Sequence, residues 1–139
     1  MQRLIAASLI VLVLLVGGAG FGWAYRQNRS YPVFVPLKVN PDTSAAKREE
    51  IAKILKEKLS EPERLLKVSK DVGLAGKWHL ASDKEAAAEL SKRLFVDATD
   101  TTINIGVHGK KKEKAVSGEI VTRLMEDVKE ILGLKPPPE

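Results

Sequence analysis

The chain has 139 residues, 44% of them hydrophobic and 29% charged, with a net charge of +5. The absence of cysteine excludes a disulfide framework, thiolate metal sites, a cysteine nucleophile and a lipid-modified cysteine. Two histidines exclude a three-histidine metal site, and the mild, evenly spread positive charge gives no footprint for nucleic acid.

The charges are not mixed with the apolar residues. Leu4 to Tyr25 is uncharged throughout, and every acidic residue follows it. As a helix these 22 residues span about 33 Å, enough to cross a hydrocarbon core of about 30 Å. Trp23, Tyr25 and Tyr31 fall where an interfacial aromatic belt lies, and Arg26 and Arg29 follow at once. Residues 1–25 are therefore expected to be a retained transmembrane anchor. The competing reading is a signal peptide, with Met1-Gln2-Arg3 as its basic start, Leu4–Val16 as its apolar core, and Gly22 and Ala24 as the small residues before a cut after Ala24. Either reading places the rest of the chain outside the cytoplasm, although the positive-inside count is nearly tied. Gly18 and Gly22 have the spacing that lets two membrane helices approach closely, and glycine is also simply common in such helices.

Residues 26–30 read as a juxtamembrane linker, 31–134 as one domain and 135–139 as a stiff Pro-rich tail. Tyr31–Val39 alternates Val33, Val35, Leu37 and Val39, which predicts a strand, and Pro32 and Pro36 confine it to an edge. After the Asn40-Pro41-Asp42 turn, Thr43 or Ser44 caps a helix to Leu59 with Ile51, Ile54, Leu55 and Leu59 on one face. Pro62 opens a second helix that runs to Val72 and stops at Gly73. Trp78 and His79 fall in a predicted loop. Ser82 and Glu85 spell a capping box for a third helix, Asp83 to about Leu94. Thr101–His108 alternates Ile103, Ile105 and Val107 with Thr102, Asn104 and Gly106, the clearest strand in the chain. The last helix runs from about Lys112 to Leu132, with Val116, Ile120, Leu124 and Val128 four apart and a stripe wide enough to cover a sheet. The expected order is β-α-α-α-β-α, an α+β domain with helices on one face of a small sheet.

No catalytic constellation stands out. There is no phosphate-binding Gly-rich loop and no nucleophile elbow, and His79 and His108 sit in unrelated contexts. The carboxylates lie mostly beside lysines on helix faces, as on a solvated surface. The expectation is no enzyme, no cofactor and no metal. Lys110, Lys111, Lys112 and Lys114 form the one notable charge run. It reads as a solvated turn or as a contact for an anionic lipid or glycan, and its lysines oppose the dipole of the helix they precede. Trp78 reads more readily as a packing anchor than as a sugar platform.

From Leu65 to Val128 a series of short motifs stands in order. They are Leu65-Leu66-Lys67-Val68, Gly73-Leu74 with Trp78, Leu90-Ser-Lys-Arg-Leu94-Phe-Val96, Thr102-Ile103-Asn-Ile105-Gly-Val107 and Ser117–Leu124. This pattern resembles the Wzz-type chain-length determinants, the polysaccharide co-polymerases. Thr122 stands where the family pattern has Asn. The resemblance implies a bacterial inner-membrane protein with a periplasmic base domain that forms homo- or hetero-oligomers and governs surface polysaccharide. The sequence holds no counterpart of the family's long helical arm, Pro-rich second membrane helix or kinase motifs, so the resemblance is to the base domain alone. The leading expectation is a non-enzymatic assembly or regulatory module of polysaccharide polymerisation or export. The alternatives are an extracytoplasmic module that binds anionic lipid or glycan through the lysine patch, and a secreted domain if the chain is cut after Ala24. The anchor reading predicts that the intact mass of the purified protein retains residues 1–24; a mature chain starting at Tyr25 overturns it.

Overall fold

The computed structural model describes residues 26–133. The apolar segment, its Gly18 and Gly22, and the 135–139 tail lie outside the described residues. Among the described residues no helix is long and apolar enough to cross a membrane.

The domain is α+β around a three-stranded antiparallel sheet of order β1-β3-β2. Strand β1 is Ser30–Lys38, β2 is Leu94–Ala98 and β3 is Thr102–Lys110. The helices are α1 (Ala45–Leu59), α2 (Pro62–Val72), α3 (Leu74–Lys77), α4 (Asp83–Arg93) and α5 (Lys114–Ile131), with a 3-10 turn at Lys111–Glu113. The order is thus β-α-α-α-α-β-β-α. It adds strand β2 and the one-turn helix α3 to the elements expected from sequence. The third predicted helix ends at Arg93 because Leu94 already begins β2, in extended conformation. A tight turn closes the β2–β3 hairpin, where the Thr99 N–H donates to the Thr102 carbonyl at 2.7 Å.

The central strand carries the core. Its partners across the sheet are Val33 and Leu94 for Val107, Val35 and Val96 for Ile105, and Leu37 and Ala98 for Ile103. Residues paired across a sheet share a face, so these nine make one apolar layer. Helix α5 covers it over β1 and β3, and α1 covers it over β2. Ile103, Ile105, Leu55, Leu59, Leu90, Ile120 and Leu124 are fully buried there. On α1 the inward residues are Ala52, Leu55 and Leu59. Ile54, expected on that face, is 43% exposed, because one residue along a helix turns by about 100°.

The opposite face of the sheet carries Phe34, Phe95 and His108. Phe34 and Phe95 meet edge to face at 6.4 Å, and His108 stacks on Phe95 at 4.5 Å. Gly106 lies beneath the two phenylalanines, with room for hydrogen only: a Cβ there would come within 2.6 Å of the Phe34 Cβ and 2.8 Å of the Phe95 ring. The same Cβ would strike the Val33 carbonyl, so that carbonyl faces β3. Backbone groups alternate sides along a strand, so Pro32 and Pro36 fall on the free edge, where a missing N–H breaks no ladder bond.

The helix ends follow their sequence signals. Ser44 accepts from the Lys47 N–H and Ser82 from the Glu85 N–H. Gly73 stops α2 at φ +73°, its N–H returning to Ser69 and Lys70 carbonyls. Helix α2 is tied to α5 by ions as well as by packing. Asp127, only 5% exposed, lies 3.0 Å from Arg123 and 3.4 Å from Arg64, and Arg123 reaches Asp71 at 2.9 Å. Burial opposes the Arg123 charge, but its hydrogen bonds to Asp127 and Asp71 outweigh that and raise its pKa. The contact at Gly106 sets the first packing test. Gly106→Ala is expected to destabilise the domain by about 2–3 kcal/mol, lowering the midpoint of thermal unfolding of the purified chain by roughly 10 °C or more.

Candidate ligand cleft and its basic rim

Three elements that are distant in sequence end at one place. Helix α3 ends at Trp78, α4 ends at Arg93, and β3 runs out at Lys110 into the 3-10 turn. Between them lies an open cleft of about 580 Å³ whose lining includes Lys77, Trp78, His79, Arg93, Lys110 and Lys112.

Arg93 organises the cleft. Its guanidinium lies 4.5 Å from the centre of the Trp78 ring, a cation–π contact. Its Nε donates to Glu89 at 2.9 Å and its other arm to Glu113 at 3.1 Å. The same Glu113 oxygen accepts the Lys110 backbone N–H at 2.8 Å. Glu113 therefore does two jobs: it satisfies an open N–H at the start of the turn, and it fixes Arg93 against the tryptophan. Two carboxylates already neutralise Arg93, so the charge available to a ligand is carried elsewhere. Lys77 pairs with Glu119. Among the described residues, Lys110 and Lys112 have no ion-pair partner.

Trp78 is a half-buried wall of the cleft, its indole N–H enclosed and without a hydrogen-bond partner among the described residues. It closes α3, which the sequence reading left as loop. The next two residues complete a Schellman cap: the Leu80 N–H returns to the Ala75 carbonyl at 2.8 Å and the His79 N–H to Gly76 at 3.3 Å. That cap requires a left-handed residue, and His79 supplies it at φ +54°. Glycine is the usual occupant because a Cβ is strained there. His79 is exposed on the cleft rim.

The lysine run is not one patch. Lys110 and Lys112 line the Trp78 cleft. Lys111 lines a separate hollow of about 560 Å³ with Arg26, Arg29, Ser30 and Tyr31, and the Lys114 ammonium lies 5.6 Å from the Tyr31 ring centre. Side chains three apart eclipse on a 3-10 turn, which groups Lys111 with Lys114. The remaining residues of the family-like pattern are structural. Leu90, Leu94, Ile103, Ile105 and Val107 are core, and Thr102 is half-buried at the hairpin, bonded to Thr99. His108 lies on the aromatic face of the sheet, away from the cleft wall that carries His79. The sequence reading missed Lys77, Glu89, Arg93 and Glu113. The only signal for them was the i,i+4 spacing of Glu89 and Arg93, which is also that of an ordinary solvated pair.

The arrangement supplies exposed ammonium donors beside an indole that Arg93 covers, which suits an anionic ligand. Among the described residues no three His, Cys, Asp or Glu side chains are placed to hold a metal ion. No family model, curated protein or solved structure matches the chain.

The strained cap gives a direct test. His79→Gly relieves the left-handed histidine and is expected to stabilise the domain by about 0.5–1 kcal/mol, a rise of roughly 4 °C in the unfolding midpoint.

Proposed function

We propose that this chain is a non-enzymatic module of surface-polysaccharide assembly. Residues 1–25 anchor it in a bacterial inner membrane, and its domain faces the periplasm and meets an anionic glycan in the Trp78 cleft. The observation that carries the glycan contact is the convergence of Trp78, Arg93, Lys110 and Lys112 on one cleft. Sugars with carboxylates present an acid for the lysines beside the Arg93-covered indole. The assembly role draws on the resemblance to chain-length determinants. Apolar residues of the resembling motifs, Leu65, Val68, Leu74, Leu90, Leu94, Ile103, Ile105 and Leu124, share one core. The aromatic strip of Phe34 and Phe95, with Phe34 47% exposed, is a surface on which a second subunit of a homo- or hetero-oligomer could pack.

The chain has two tryptophans, so Trp23→Phe leaves Trp78 as the single indole reporter. Its emission in that variant is expected to respond saturably to polygalacturonate and not to neutral dextran. The response should weaken about tenfold or more between 50 and 200 mM salt and vanish in Lys110→Glu/Lys112→Glu. No response at low salt overturns the glycan contact. Deleting the gene should alter the amount or length of surface polysaccharide, and an unchanged distribution overturns the assembly role.

A further inference from the structure

The other half of the lysine run faces a different partner. We propose that Arg26, Arg29, Lys111 and Lys114, with Tyr31, form a collar that seats the domain on the anionic phospholipid headgroups of the membrane. This rests on the reading of residues 1–25 as an anchor.

Position comes first. Arg26 follows directly on the uncharged stretch that ends at Tyr25, so it stands where an anchored chain leaves the hydrocarbon. Lys111 and Lys114 are remote from it in sequence, yet the fold brings them there. The β1–β3 ladder runs in register to Ser30 opposite Lys110. One further bond, from the Lys111 N–H to the Arg29 carbonyl at 3.1 Å, ties the 3-10 turn to the chain as it emerges. The turn cannot leave the membrane side of the domain without breaking the sheet.

Charge comes second. Arg26, Arg29, Ser30, Tyr31 and Lys111 line their hollow without a carboxylate. Glu113, the acid of the turn, is engaged by Arg93 and the Lys110 N–H on the cleft side. Among the described residues none of the four cations is in an ion pair. Four uncompensated cations at one end of a domain repel one another until an anion arrives. Phosphodiester oxygens suit both guanidinium and ammonium donors. Tyr31, 37% exposed, adds the amphipathic ring that favours the headgroup level. A lipid surface is the anion that stands at this end by construction, whereas a free ion or glycan would have to be recruited.

The lack of cysteine makes single-site labelling clean. Ala115→Cys, exposed beside the collar, and Asp100→Cys, exposed at the hairpin near the opposite end of the sheet, each take one fluorophore. The full chain is placed in nanodiscs of phosphatidylcholine, with or without phosphatidylglycerol, at a constant level of headgroup-nitroxide lipid. The label at 115 is expected to be quenched at least twofold more strongly in the phosphatidylglycerol discs. High salt and the Arg29→Glu/Lys111→Glu variant should abolish that difference. Inorganic phosphate at matched ionic strength should leave it intact, and its loss there means a free-phosphate site and overturns the lipid assignment. The label at 100 should not distinguish the lipids. Arg29→Gln/Lys111→Gln, whose unfolding midpoint is measured alongside, should show the same loss without charge reversal. Equal quenching at 115 in both lipids, in a chain that resists alkaline extraction, overturns the collar and leaves the anchor standing. A chain released by alkaline carbonate overturns the anchor and the collar with it.

Discussion

The structure depends on the pairing of β1 with β3. Nine consecutive residue pairs join the first strand of the domain to a strand more than sixty residues later. Such a non-local ladder costs loop-closure entropy before it gains contacts. The apolar layer of Ile103, Ile105 and Val107 under α5 offsets that cost. Everything of functional interest hangs on the far end of this ladder. It holds Lys110 and the 3-10 turn beside the α4 terminus, where Arg93 reaches Glu113. It also holds Lys111 beside Arg29, where the chain leaves its apolar segment. A slip of one residue in the register would exchange the two faces of β1. Gly106 suits the native register, in which only glycine has room beneath Phe34 and Phe95.

Much of this fold was legible in the sequence because its periods are clean. Ile103, Ile105 and Val107 alternate with small or polar residues, and α5 steps by four through Val116, Ile120, Leu124 and Val128. Pro62, Gly73 and Ser82 mark helix ends at the positions the structure uses. What was not legible has a physical cause in each case. Leu94 closes the i,i+4 stripe begun by Leu90 and also opens the i,i+2 alternation to Val96, with no glycine or proline between them. A helix-to-strand switch without punctuation reads as a helix followed by loop, and so β2 was missed. Helix α3 is a single turn, too short to display a period. Ile54 was placed on one face with Ile51, Leu55 and Leu59, but it lies at the margin of that face, and the small Ala52 takes a buried position beside Leu55 and Leu59. Asp127 was not expected inside at all: it interrupts the inner stripe of α5 and is stabilised by two arginines, Arg64 and Arg123, one from each helix.

The site was half legible. Trp78 and the lysines were singled out separately, one by its size and the others by their charge. Their meeting depends on the sheet register and on Arg93, and no local spacing encodes either. Nor does the sequence show that the lysine run divides. That division follows from the turn geometry, which eclipses Lys111 with Lys114 and leaves Lys110 and Lys112 to the other side.

Glu113 is what keeps the two basic surfaces apart. Turned toward Arg93, it neutralises the rear of the Trp78 cleft and leaves the hollow beside Arg29 with no acid. An anion entering the cleft need not displace it, since Lys110 and Lys112 meet the ligand without giving up a partner, while Arg93 stays fixed as the plank over Trp78. The cleft can therefore fill without disturbing the hollow beside Arg29, and an anion at that hollow need not unlatch the cleft. The connection between them is geometric. Both are rooted in the same three-residue turn, and that turn is bonded to the backbone at Arg29, just after the apolar segment. Seating the collar on a membrane would then fix the height and direction at which the cleft meets a passing glycan. The proposed contact role needs that fixed presentation, because without it the two basic surfaces would compete for whichever anion came first.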